Sequence, residues 1–106
     1  MELTDNLEAL LARGPDSAML RFTLAARYSE RGELDRALVH AEAAVALDAD
    51  YSAAWKQLGK IQAARGERAE AMTAYRRGIA VAERRGDRQA AKEMHVFLRR
   101  LEAAQE

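Results

Sequence analysis

Cysteine is absent from all 106 residues, which excludes disulfides, thiolate metal sites and a cysteine nucleophile. That absence fits a reducing compartment. Proline occurs once, at Pro15, and no low-complexity stretch offers a linker. No apolar run approaches the ~18 residues that a membrane-spanning helix needs. The opening Met1-Glu2-Leu3-Thr4-Asp5 is acidic and has no signal-peptide pattern, so the expected compartment is the cytoplasm. A chain of this length is expected to form one domain, residues 1–106, with enough buried surface to fold without metals. Neither sign of charge dominates, with 17 basic and 17 acidic residues. Their distribution is uneven. Residues 1–52 carry 10 acids and 5 bases, and residues 53–106 carry 7 acids and 12 bases. A rod polarised in this way could associate head to tail or steer an acidic partner to its second half. Alternatively, the charges simply solvate helix faces and cancel locally.

What is present is alanine, frequent charge, and apolar residues at helical spacing, which predicts an all-α fold. The punctuation is regular. Arg-Gly occurs at 13–14, 31–32, 65–66 and 85–86. A cation followed by glycine ends a helix, because glycine takes the left-handed conformation and arginine complements the dipole. Asp16-Ser17, Glu33, Glu67 and Asp87 follow these points and suit helix starts, and Asp48 or Asp50 can cap at the remaining break. The predicted helices cover roughly 3–13, 17–31, 34–47, 51–65, 68–85 and 87–104. Their short connections predict antiparallel neighbours.

The chain also repeats itself. Arg31-Gly32-Glu33 recurs 34 residues later as Arg65-Gly66-Glu67, with Leu24 recurring as Leu58, Ala37 as Ala71 and Ala46 as Ala80. A fixed interval of this size marks stacked helix pairs in place of a single globular core. Trp55-x2-Leu58-Gly59 followed by Ala71-x3-Tyr75 resembles the tetratricopeptide repeat, whose pattern runs Trp-x2-Leu-Gly-x2-Tyr, Ala-x3-Phe, Pro. This repeat, 52–85, departs at Gln62, where the family has tyrosine, and at Glu83, where it has proline. An earlier one, 18–51, keeps Leu24, Ala25, Tyr28 and Ala37 but has Arg21, Ala41 and Ala49 for the tryptophan, aromatic and proline. One interval further back, Leu3, Leu7 and Pro15 fall at the alanine, aromatic and proline places, so 3–16 reads as a truncated leading half-repeat.

The resemblance implies a solenoid of about six helices with right-handed superhelical stacking, closed by a capping helix at 87–104. Gly59, Ala25, Ala37 and Ala71 would allow close helix approach, and Trp55, Tyr28 and Tyr75 would fill the wider gaps. On the last helix, Ala90, Ala91, Met94, Phe97, Leu98, Leu101 and Ala104 fall within a stripe of about 140°, with Val96 outside it. That is wide for a helix covering one neighbour. Either the stripe caps the preceding pair, or part of it is left over for a second copy or a partner helix, with Met94, Phe97, Leu101 and the neighbouring Val96 as the self-association candidates.

Nothing in the pattern points to catalysis, a metal or a cofactor. The helical neighbours of His40 (Arg36, Ala37, Ala43, Ala44) and of His95 (Ala91, Lys92, Leu98, Arg99) include no plausible ligand. No hydroxyl has an activating partner in its motif, and Gly59-Lys60 lacks a phosphate-cradling loop. Arg85-Gly86-Asp87 spells an adhesion tripeptide but sits where one helix ends and the next begins.

The resemblance instead implies a protein-interaction module that holds an extended peptide or a partner helix in a concave groove. The first helix of each pair would line it, through Met19, Phe22, Ala26 and Ser29, then Lys56, Gln57, Lys60 and Ala63. One subgroup of the family grips a terminal carboxylate with a lysine–asparagine clamp. Here Lys56 matches one clamp lysine, but Lys60 stands at the asparagine place and Ala91 at that of the distal arginine, so chaperone-tail binding is not implied. Lys56, Lys60 and Lys92 together could present a basic strip to an acidic peptide. Self-association as a homodimer is the structural alternative. RNA binding by the basic half is a third and weaker reading, because one basic half on a neutral chain supplies little phosphate affinity.

Overall fold

The computed structural model describes residues 2–104, and those residues form six helices and no strand. They are α1 (Leu3–Arg13), α2 (Ala18–Glu30), α3 (Leu34–Leu47), α4 (Ser52–Ala64), α5 (Arg68–Arg84) and α6 (Arg88–Ala104).

The helix ends follow from local chemistry. Ser17 Oγ accepts from the Leu20 amide at 3.0 Å, and Asp87 Oδ1 from the Ala90 amide at 3.1 Å, so each satisfies a first-turn donor. At the other end, α2, α4 and α5 share one closure. Gly32, Gly66 and Gly86 have φ of 75°, 81° and 75°. Each glycine amide donates to the carbonyl three residues back, and the amide after it to the carbonyl five residues back, as from Glu33 to Tyr28 at 2.9 Å. The fourth Arg-Gly behaves differently. Gly14 is extended at φ −114°, because the next residue is Pro15, which has no amide to complete that closure and pushes its predecessor toward extended backbone.

Two of the expected caps are also corrected. Glu33 and Glu67 occupy helix-start positions, but their carboxylates accept no hydrogen bond from a first-turn amide. Each instead reaches back across its glycine, pairing Arg31 with Glu33 at 2.9 Å and Arg65 with Glu67 at 3.2 Å. Asp48 ends α3 and accepts from the Asp50 amide, and Tyr51 precedes α4 without a side-chain cap.

Successive helices pack on one another, and α4 also touches α2 and α6. The stack measures 45 × 29 × 19 Å. Its core has two parts. Leu24, Ala25, Tyr28, Ala37 and Ala41 join Trp55 and Leu58 in the first, and Ala71, Tyr75, Ile79, Ala82, Met94 and Leu98 form the second. Between α4 and α5 the backbones come so close that a Cβ on Gly59 would lie 2.5 Å from the Tyr75 ring. Trp55 is buried, and its indole N–H donates to the Ala49 carbonyl at 2.7 Å. Met94 is completely buried against Gly78, so it is a core residue and unavailable for association with a second copy.

A polar network ties α1 to the stack. Glu8 Oε1 accepts from the Tyr28 hydroxyl at 2.8 Å and lies 3.3 Å from His40 Nε2. His40 Nδ1 lies 3.0 Å from Arg21 Nη1, and Arg21 grips Asp16 through two contacts of 2.9 Å. A guanidinium only donates, so Nδ1 accepts and Nε2 carries the proton given to Glu8. Tyr28 stacks on the imidazole with ring centroids 5.5 Å apart. Burial pushes the His40 pKa below its usual 6.5, the Glu8 carboxylate opposes that shift, and Arg21 adds to it.

The folded state therefore favours neutral His40 and binds fewer protons there than the unfolded chain. Its stability is complete above about pH 6.5 and falls as the pH drops toward the lower folded value. We expect the urea midpoint to decline between about pH 7 and pH 5, and that slope to flatten in His40→Gln. An unchanged slope in the variant would assign the decline elsewhere.

Candidate functional site

A cleft of about 340 Å³ runs between α2 and α4. It brings together Phe22, Ala26 and Ser29 from α2 with Lys56, Gln57 and Lys60 from α4. These residues recur at three- and four-residue intervals, so each set occupies one helix face.

Two expected members do not join it. Met19 is 71% exposed and lies outside the lining. Ala63 packs with Phe97 and Leu101 against the second core, because one further helical turn carries it beneath α6. Phe22 is half-buried. Its ring sits 5.1 Å from that of Tyr51, and its carbonyl accepts from Gln57 Nε2 at 2.9 Å. That bond fixes the Gln57 amide and leaves its Oε1 buried without a protein donor.

The charge pattern also differs from the expected strip. Lys56 Nζ pairs with Glu93 Oε1 at 3.2 Å. Lys60 Nζ lies 5.4 Å from the Phe97 ring centroid, in cation–π range. Lys92 lies elsewhere, in a surface depression with Arg88 and His95. The three lysines therefore form no continuous basic strip, and Lys60 is the exposed cation of the cleft. On α6, Val96 is 41% exposed, whereas Phe97 and Leu101 are half-buried and Phe97 rests 5.7 Å from Tyr75.

No protein-family model matches the sequence. Individual relatives do. A TPR repeat-containing protein of Pseudomonas aeruginosa is 46% identical over 102 residues, covering 96% of this chain and 97% of the relative. The chain belongs to the tetratricopeptide-repeat family.

Two solved structures agree with that membership. The solution structure of a protein from Bordetella parapertussis superposes with a TM-score of 0.83 at 48% identity, covering 98% of this chain and 90% of that one. A tetratricopeptide repeat domain protein from Salinibacter ruber does so with a TM-score of 0.78 at 26% identity, covering 83% of this chain and 98% of that one. The fold is thus a tetratricopeptide-repeat-like solenoid, and such repeats generally serve as protein-interaction modules.

Sequence reasoning missed a second cleft in this tetratricopeptide-repeat protein. It lies on the opposite face of α4, between α3 and α5, and measures about 550 Å³. Its signal was the departure at Gln62, where a smaller side chain replaces the family's tyrosine. Among the described residues, no helix is long and apolar enough to cross a membrane.

Proposed function

We propose that this tetratricopeptide-repeat protein is a non-catalytic interaction module whose α2–α4 cleft holds an extended peptide or a partner helix in the cytoplasm. In this reading α1 is the second helix of a truncated leading unit, α2–α3 and α4–α5 are the two full repeats, and α6 is the cap. The convergence of Phe22, Ala26, Ser29, Lys56, Gln57 and Lys60 on one cleft carries the proposal. The chemistry supports it. The cleft offers an aromatic edge at Phe22, a small-residue floor at Ala26 and one exposed cation at Lys60. The Gln57 amide, held by the Phe22 carbonyl, adds a fixed polar point to the cleft wall. Self-association gains no comparable support, because the centre of its expected face, Met94, is wholly inside.

The test is affinity capture with wild type, Lys60→Glu and Phe22→Glu/Lys60→Glu, each first shown to melt cooperatively. Cleft ligands should be captured by wild type, weakened by Lys60→Glu and lost with the double variant. Should every captured protein bind all three variants equally, the α2–α4 cleft is not the docking surface.

A further inference from the structure

The 34-residue interval places two clefts in equivalent positions, and only the upstream one keeps a stacked tyrosine–histidine pair. The upstream cleft, about 420 Å³, lies between α1 and α3 and is lined by Glu8, Tyr28, Arg36, Val39 and His40. Advancing each position by 34 gives Glu42, Gln62, Glu70, Thr73 and Ala74, and all five line the larger α3–α5 cleft. Upstream, Tyr28 stacks on His40 and its hydroxyl donates to Glu8 at 2.8 Å. Downstream, the ring pair is replaced by Gln62 and Ala74, while the carboxylate survives as Glu42. The downstream cleft consequently reaches down to Leu58 and Trp55, whose upstream counterparts Leu24 and Arg21 do not line the cleft there.

We propose that the α3–α5 cleft is a docking site for a tyrosine side chain of a partner polypeptide, with its ring over Ala74 and its hydroxyl donating to Glu42. The chain carries its own template for this arrangement in the Glu8–Tyr28 pair. Two further observations point to an occupant. Gln62 is 8% exposed, and its Oε1 is buried with no protein group donating to it. Among the described residues, Glu42 is in no ion pair and receives no side-chain hydrogen bond, whereas Glu8 receives two partners. A phenol fits the floor and the rim of the cleft. Its ring matches an apolar floor, and its single O–H matches a carboxylate acceptor at the rim. The Arg77 guanidinium, 5.7 Å from the Trp55 ring centroid, supplies a planar cation on the same wall, as Arg36 does 5.6 Å from the Tyr28 ring upstream. This site uses the opposite face of α4 from the α2–α4 cleft and shares no lining residue with it.

The test titrates the isotope-labelled full chain with N-acetyl-tyrosinamide, N-acetyl-phenylalaninamide and N-acetyl-histidinamide. Shifts are read at the Gln62 side-chain amide and the indole of Trp55, the chain's one tryptophan. We expect saturable shifts with the tyrosine probe and binding at least fivefold weaker with the other two. Glu42→Ala, an exposed position, should reduce the tyrosine probe to the phenylalanine level. Gln62→Tyr places the ring in the cleft from within, so it should raise the melting temperature and abolish the shift at Trp55. The proposal is overturned if the tyrosine probe gives no saturable shift, binds no better than phenylalanine or histidine, or binds Gln62→Tyr and Glu42→Ala as it binds wild type.

Discussion

Replacing Gly59 with leucine should destabilise the protein by about 3 kcal/mol, the upper end for overpacking a core. At this chain length that lowers the melting temperature by roughly 10–20 °C. The first atom of any side chain at this position would already stand 2.5, 2.7 and 2.8 Å from three carbons of the Tyr75 ring. That ring cannot yield. Tyr75 is 2% exposed, rests on Phe97, and is so enclosed that burial pushes its hydroxyl pKa up to about 12. The helices must separate instead, and α4–α5 is a main contact of the stack.

Gly59→Ala sharpens the argument, since two effects oppose each other. Alanine gains about 1 kcal/mol of helix propensity over glycine, while its methyl meets the ring. We expect the clash to win and the variant to be less stable than wild type. Combining it with Tyr75→Leu should recover part of the loss, because contacting residues couple. A Gly59→Leu protein melting within a few degrees of wild type would show that α4 and α5 are not this close.

The helix count and most helix ends were legible because the same chemistry recurs. Arg31-Gly32-Glu33 and Arg65-Gly66-Glu67 each close one helix and open the next. Arg13-Gly14 looked identical in sequence, and only the missing amide of Pro15 separates it from the others. Six of the eight groove residues meet in one cleft, because a motif that fixes which face of α2 packs inward also fixes which face is left outside. Contacts between non-adjacent helices were not legible. Nothing local marks Glu93 as the partner of Lys56 across α4 and α6, or carries Ala63 under α6. Met94 lay within a broad apolar stripe whose centre and edges look alike in sequence, and only packing against Gly78 settles that it points inward. The network of Glu8, Tyr28 and His40 escaped for the same reason, since its members come from three helices. The exchange of Tyr28 and His40 for Gln62 and Ala74 was nonetheless visible by comparing the chain with itself.

That self-comparison gives the second large effect. Leu24→Ala and Leu58→Ala make the same chemical change at equivalent repeat positions, yet their costs should differ. Leu24 is 0% exposed and enclosed by the first core, so its removal leaves a closed void that neither water nor a side chain can fill. We expect a loss of about 4–5 kcal/mol, near the top of the range for such truncations. Leu58 is 5% exposed and lines the α3–α5 cleft, so the space it leaves opens onto an existing depression. Its truncation should cost nearer 2–3 kcal/mol, because the cavity contribution shrinks while the transfer contribution remains. Urea unfolding measures both, and an unchanged slope would place the difference in the native state. If Leu58→Ala were as costly as Leu24→Ala, the floor between α3 and α5 would be as tightly closed as the core beneath α1, and the two halves of the chain would pack alike despite the loss of the Tyr–His pair.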